Sequence, residues 1–294
     1  MSATIEGRLV VVTGAANGIG AALASASLGR GAAHVVLIDV AGDEVEAAAA
    51  ALSEGGGSVS AEVCDVSDAD AVFALAAEVI AEHGLPGLVC ANAGVGPDVG
   101  PLLDATIDDV RWVFGVNVVG VLATLQAFGR PMAAADTEGW LLATASEHGL
   151  GVPHLGNGVY TSSKHAVIGM CDVIRRELPA GLGMSVLCPG LTISDFWRSA
   201  AKRPESHGGP GAANDLGRAV LAQGMAPELV AERALDGVDR GDFLIPTHYN
   251  TKDYADARAA EVVAAFDRLA DIDTSTWHVD DAIAAVFSSL EGDS

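Results

Sequence analysis

Short runs of β-branched and aliphatic residues alternate along this chain with Ala-rich amphipathic stretches. Leu9–Thr13, Val35–Ile38, Ser58–Cys64, Gly87–Ala91, Trp140–Ala145 and Met184–Leu187 read as strands. Between them, Ala21–Arg30, Asp43–Ser53, Asp68–His83, Ile107–Pro131 and Tyr160–Leu178 read as helices. Strand–helix–strand repetition of this kind predicts an α/β fold, a parallel sheet with helices on both faces. Six strands in two successive halves match a Rossmann-type doubly wound sheet. After Pro189 the rhythm breaks into a stretch rich in Gly, Pro and charge, residues 190–226, and an interruption of that length is either a functional lid or disordered. Periodicity resumes with a helix near Pro227–Asp239, a short strand at Phe243–Pro246 and a helix near Tyr254–Leu269. A last amphipathic segment, Asp280–Leu290, leads to an acidic end. No linker divides the chain, so residues 1–294 are expected to form a single domain with an extension at 247–294.

Composition narrows the function classes. Half of the 294 residues are hydrophobic, enough for a sizeable core. The formal charge of −23 disfavours nucleic acid and anionic membrane as partners. The longest apolar stretch, residues 112–128, is interrupted by Asn117 and Gln126 and reads as a buried helix rather than a membrane span. The N-terminus lacks the pattern of a secretory signal. Cys64, Cys90, Cys171 and Cys188 form no CxxC pair, and no His stands at ligand spacing from them, which argues against a zinc site and a disulfide framework. A reducing cytoplasm and no metal are the expectations.

The first chemical signal follows the first strand. In Thr13-Gly14-Ala15-Ala16-Asn17-Gly18-Ile19-Gly20 the glycines let the backbone turn sharply toward a pyrophosphate, whose charge the N–H groups of the following helix bind. Asp39, at the end of the second strand, is placed to accept hydrogen bonds from both adenosine ribose hydroxyls and to repel a 2′-phosphate. Neither Asn17 nor Val40 carries positive charge, so NAD is favoured over NADP. The competing reading of Asp39 is a helix-capping aspartate. Asp65 and Val66 end the third strand similarly, where Asp65 reaches toward the adenine edge. Asn92-Ala93-Gly94 puts small residues where the cofactor must pass.

The second signal is Tyr160-Thr161-Ser162-Ser163-Lys164, whose spacing of four puts phenol and ammonium on one helical face. Ionising a tyrosine near pH 7 needs about 4 kcal/mol of preferential stabilisation of the phenolate. A positive charge about 4 Å away at an effective dielectric near 20 supplies about that amount. Ser146, ending the fifth strand, is placed to hold a substrate oxygen. Asn117, inside the apolar helix, must be paired with backbone or hold a water, and both readings can be true.

Together these residues resemble the short-chain dehydrogenase/reductase superfamily, specifically its classical branch. The resemblance runs from about residue 5 to about residue 246. It rests on Thr13-Gly14-x-x-x-Gly18-x-Gly20, Asn92-Ala93-Gly94, Asn117, Ser146, Tyr160-x-x-x-Lys164 and Pro189-Gly190. It implies a seven-stranded parallel sheet and a catalytic tetrad. In that scheme Tyr160 is the acid/base and Ser146 orients the substrate oxygen. Lys164 binds the nicotinamide ribose and lowers the tyrosine pKa, while Asn117 holds a relay water. It further implies that Pro189, Gly190 and a following hydroxyl, Thr192 or Ser194, line the nicotinamide end, and that the helices at 107–131 and 160–178 build a homodimer or homotetramer. The implied activity is NAD-dependent interconversion of a secondary alcohol and a ketone, against the alternative of a non-catalytic dinucleotide sensor or scaffold. Loops Val95–Asp104, Glu147–Gly156 and Leu191–Met225 are expected to line the substrate site. They offer Phe196, Trp197 and Leu155 as apolar surface and Glu147, His148 and His154 as polar handles, which points to a cyclic, aromatic or otherwise bulky substrate. The 247–294 extension is expected to cover the active site or a neighbouring subunit.

Overall fold

In a computed structural model, residues 5–96, 99–211 and 215–270 are described. The chain runs β1 (Leu9–Thr13), α1 (Gly18–Gly29), β2 (His34–Asp39), α2 (Gly42–Glu54), β3 (Val59–Val63), α3 (Ala69–His83), β4 (Leu88–Ala91) and α4 (Ile107–Phe114). It continues with α5 (Val121–Ala134), β5 (Gly139–Thr144), α6 (Gly158–Glu177), β6 (Leu182–Cys188), α7 (Asp215–Leu221), α8 (Pro227–Arg240), β7 (Leu244–Pro246) and α9 (Lys252–Ala270). All seven strands are parallel, in the order β3-β2-β1-β4-β5-β6-β7. The order reverses between β1 and β4, and a crevice opens at the carboxyl ends of the strands there.

Burial on both faces explains why the strands read as nearly continuous apolar runs. Leu9 and Val11 of β1, Val89 of β4 and Leu141 of β5 belong to the core under α3–α6. Their neighbours Val10, Val12, Cys90 and Leu142 belong to the opposite core, under α1, α2 and α8. Local signals fix the helix starts. Asp68 caps α3 by accepting from the Ala71 N–H at 3.1 Å. Thr106 and Asp109 form a reciprocal capping box on α4, with bonds of 3.0 and 3.1 Å.

Three expectations need correction. The helix expected at 107–131 is interrupted by a π-helical segment, Gly115–Gly120, that contains Asn117; an amide seeking partners off the helix is what an i→i+4 pattern cannot foresee. Helix α1 begins at Gly18 rather than Ala21, so the last glycines of the turn form its first turn. The 190–226 stretch is not structureless: among its described residues it carries short 3₁₀ turns at Asp195–Arg198, Ala200–Lys202 and Glu205–His207 and helix α7. Helix Ile107–Ala134 is long and apolar enough to cross a membrane, but 61% of its most apolar window is buried, as the reading of a core helix requires.

The chain divides into two compact units, residues 1–255 and 256–294. The described side chains of the second are exposed, Val263, Phe266 and Leu269 among them. The segment Asp280–Leu290 lies outside the described residues.

At the β5–β6 ladder, a Cβ on Gly183 would lie 2.1 Å from the Trp140 ring, whose Nε1 donates to Ser185 at 2.9 Å. Gly183→Ala is therefore expected to lower stability by about 1–3 kcal/mol through overpacking. Urea denaturation followed by tryptophan fluorescence reads this as a lower midpoint at unchanged slope.

Candidate active site

The glycine turn is built by close approach of two backbone segments. Gly14 (φ +66°) and Gly18 (φ +57°) adopt left-handed conformations. A Cβ on Gly20 would stand 2.0 Å from the Gly14 carbonyl oxygen, and one on Gly14 would stand 2.7 Å from Ala93 Cα. Gly20 therefore serves packing, while Gly14, Gly18, Asn17 and Ile19 line the crevice. Asn92 stitches the turn to the sheet: its Nδ2 donates to the carbonyls of Thr13 and Gly14 at 3.1 and 3.3 Å, and its Oδ1 accepts from Thr144 Oγ1 at 3.0 Å. These bonds occupy the Asn92 side chain, which shapes the wall of the cleft.

From the turn a continuous cleft of about 410 Å³ runs past Asp39, Asp65 and Val66 at one end to Ala93, Gly94, Pro189, Tyr160 and Lys164 at the other. That volume is in the range of cofactor sites. Asp39 accepts from the Ala16 N–H and the Ala41 N–H, both at 3.1 Å, so it braces the glycine loop and its own turn at once. Asp65 accepts from Ser67 N and Oγ at 2.9 and 2.7 Å. The residues present therefore fit a dinucleotide: glycines leave room for a pyrophosphate at a helix start, and a carboxylate stands at the ribose end.

The tetrad assembles at the inner end. Lys164 is 3% exposed, donates to the Thr144 carbonyl at 2.9 Å and lies 5.5 Å from the centre of the Tyr160 ring. Burial lowers its pKa to about 8. Gly94 makes room for this ammonium, since a Cβ there would lie 3.3 Å from Nζ and 3.5 Å from Asn117 Oδ1. The Asn117 amide accepts from Val95 N at 2.8 Å and donates to Val95 O and Ser163 Oγ at 2.9 and 3.0 Å. Both its donors are thus spent on protein groups, and any water on this side chain has only Oδ1 to bind. Ser146, 5% exposed, donates from its hydroxyl to the Pro189 carbonyl at 3.4 Å and accepts from His148 N at 3.3 Å.

The electrostatics give Lys164 a smaller share than the expectation that it does most of the work of preparing the phenolate, with an oxidised nicotinamide ring adding to it. Tyr160 opens onto the cleft by its ring, but burial of its hydroxyl end pushes its pKa up to about 12. The nearby Ser146 hydroxyl works against that rise and the Glu147 charge adds to it. The reason lies in the same dry environment: it penalises the phenolate and also weakens the hold of Lys164 on its own proton. Further positive charge must arrive at the ring to complete the shift.

Other expected residues are placed less uniformly. Phe196 lines the cleft with its ring 5.3 Å from that of Tyr160. Trp197 is absent from the cleft wall; the guanidinium groups of Arg198 and Arg218 lie 5.9 and 5.6 Å from its ring. Of the two hydroxyls after Pro189-Gly190, Thr192 turns its Oγ1 to the Gly190 carbonyl at 2.9 Å, and Ser194 lines the cleft. Gly190 itself donates its N–H to His248 Nδ1 at 3.1 Å. Glu147, His148 and His154 converge, with one ligand atom from each within 4.8 Å of the others.

Sequence reasoning missed the lid's reach. Lys202, Pro204, Ser206 and His207 line the same cleft as Asp39 and Asp65. Lys202 pairs with Glu44 of α2 at 3.0 Å, and Arg203 pairs with Asp109, the capping residue of α4. No local pattern marks these contacts, which join positions more than ninety residues apart.

Difference ultraviolet spectra of wild type against Tyr160→Phe are expected to show no Tyr160 phenolate below about pH 10 in cofactor-free protein. Adding oxidised cofactor is expected to move its ionisation down by at least one pH unit, on the order of 1.4 kcal/mol. An unmoved titration would deny the cofactor's charge that role.

The family profile described as short chain dehydrogenase matches residues 8–205. Among curated proteins, "Probable oxidoreductase EphD" of Mycobacterium tuberculosis is 38% identical over 184 residues, which cover 62% of this chain and 31% of that protein. The chain thus spans under a third of that relative's length. "1-deoxy-11-beta-hydroxypentalenate dehydrogenase" of Streptomyces exfoliatus is 38% identical over 188 residues, covering 63% of this chain and 68% of that protein. Among solved structures, a short chain dehydrogenase/reductase from Burkholderia phymatum in complex with NAD superposes with a TM-score of 0.84 at 27% identity, covering 89% of this chain and 96% of that one. With a family match over more than half its length and the same seven-stranded fold, this chain belongs to the short-chain dehydrogenase/reductase family of oxidoreductases.

Proposed function

We propose that the protein is an NAD-dependent oxidoreductase that interconverts a secondary alcohol and a ketone on a cyclic, aromatic or otherwise bulky skeleton. The observation that carries this reading is the buried Lys164 ammonium 5.5 Å from the centre of the Tyr160 ring, one helical turn away, at the inner end of a cleft whose outer end is Asp39. A nicotinamide dinucleotide held there supplies the hydride acceptor or donor and, when oxidised, a positive charge. The Gly14–Ile19 turn, Asp39, Asp65 and Val66 hold its adenosine and phosphate parts, and Ala93, Gly94, Pro189, Ser194 and Lys164 surround the other end. Ser146 orients the substrate oxygen, and Tyr160 Oη takes its proton in oxidation and returns it in reduction. Lys164 favours the phenolate form. Phe196, across the cleft from the phenol, offers an aromatic wall to a bulky carbon skeleton. The hydroxy group in the substrate name of the Streptomyces exfoliatus dehydrogenase agrees with an alcohol substrate.

Tyr160→Phe is expected to lower turnover at least ~100-fold while the cofactor dissociation constant, read by tryptophan fluorescence, stays within a few-fold. Undiminished turnover of a cyclic secondary alcohol would sink the mechanism. Wild type that binds the cofactor but turns over no alcohol or ketone would favour a sensor, which needs no proton-handling phenol.

Selectivity for NAD rests on charge. Asp39 would repel a 2′-phosphate, and Lys202, which lines the same cleft, is already paired with Glu44. Wild type is expected to prefer NAD in kcat/KM. Asp39→Ser is expected to reduce that preference about tenfold, or ~1.4 kcal/mol, and adding Glu44→Gln to release Lys202 and reduce it further. A wild type that works equally well with NADP would contradict the role of Asp39.

A further inference from the structure

We propose that Glu147, His148 and His154 form a binding site for a single zinc-class divalent cation beside the Tyr160 ring. A carboxylate oxygen and two imidazole nitrogens lie within 4.8 Å of one another, with Glu147 and His148 buried and His154 exposed. Two imidazoles and a carboxylate are a borderline ligand set that suits zinc, and three protein ligands leave a fourth position for water or substrate. Closing the three atoms onto zinc at about 2.0–2.2 Å requires shifts of roughly 1 Å, and the exposed His154 has the freedom to make them.

The surroundings support a ligand role more than a chance meeting of side chains. His148 Nδ1 is hydrogen-bonded to Thr161 Oγ1 at 2.8 Å, which fixes the ring; in the tautomer whose Nδ1–H donates to Thr161, Nε2 is the nitrogen that would ligate a metal. An outer hydrogen bond of this kind is the usual partner of a metal-bound imidazole. Gly190 lets the Glu147 carboxylate stand close to the backbone, since a Cβ there would lie 3.2 Å from Oε2. The His148 ring lies 5.6 Å from that of His154 and 5.3 Å from that of Tyr160, and His154 lies 6.3 Å from the Tyr254 ring. The cation ties together the two ends of the loop 147–154, which walls the substrate side of the phenol.

Cysteine spacing gave no hint of this site, because no cysteine takes part and the ligands come from a 3₁₀ turn, Glu147–Gly149, and a residue beyond it. The proposal is independent of the dehydrogenase reading.

The experiment uses the full chain without an affinity tag, stripped with a chelator and then offered Zn2+. Wild type is expected to keep one equivalent through desalting, measured by elemental analysis, and to give visible d–d bands when Co2+ replaces Zn2+. Glu147→Gln and His154→Ala, checked for folding by circular dichroism, are expected to lose that equivalent. Thr161→Val, which removes only the outer hydrogen bond, is expected to weaken Zn2+ binding about 10- to 100-fold in competition with a chromophoric chelator. Tyr160→Phe is expected to keep the full equivalent even though it abolishes turnover, which separates this site from the catalytic one. Wild type without retained Zn2+, or His154→Ala retaining as much as wild type, would overturn the proposal.

Discussion

A protonated lysine enclosed by the fold is the constraint around which the catalytic end is arranged. The Lys164 ammonium is almost without solvent and is held by the Thr144 carbonyl at the end of β5. An ammonium so placed is costly unless its hydrogen bonds are supplied, and the lowered pKa of about 8 records that cost. The protonated form still prevails near pH 7. Its neighbours follow from it: Gly94 has no side chain to crowd it, and Asn117 is drawn out of the helical ladder to brace Val95 beside it. Tyr160, one turn earlier on α6, shares its dry surroundings. The same burial that makes the ammonium effective at short range also holds the phenol protonated until more positive charge is present.

The alternation of apolar runs exposed the fold readily, because strands buried on both faces and helices buried on one have different periods. The Tyr160–Lys164 pair was legible for a related reason: four residues along a helix fix a shared face whatever else surrounds it. The π-helical segment at Gly115–Gly120 was not legible, since one residue more in a hydrogen-bonded turn leaves the hydrophobic stripe almost unchanged. Thr192 and Ser194 were interchangeable in sequence; in the structure the Thr192 hydroxyl donates to the Gly190 carbonyl and Ser194 lines the cleft. Trp197 looked like pocket lining because it is large and apolar, yet two guanidinium groups near its ring give it another place.

The lid shows the limit of local reasoning most clearly. Glycine, proline and scattered charge mark residues 190–226 as irregular but do not say where the segment goes. Its destination is set by pairs such as Lys202 with Glu44 and Arg203 with Asp109, made across the cleft in a strongly acidic protein where carboxylates are plentiful and cations few. Each basic residue in the lid therefore carries unusual weight in choosing its docking place.

Asp109 gives that choice a mechanical side. The carboxylate that receives Arg203 also closes the capping box with Thr106, at the start of the helix that leads into the π-helical turn and Asn117. One carboxylate thus serves two ends at once: its Oδ1 receives the guanidinium of the 190–226 segment and its Oδ2 the Thr106 hydroxyl at the start of the helix that leads to Asn117.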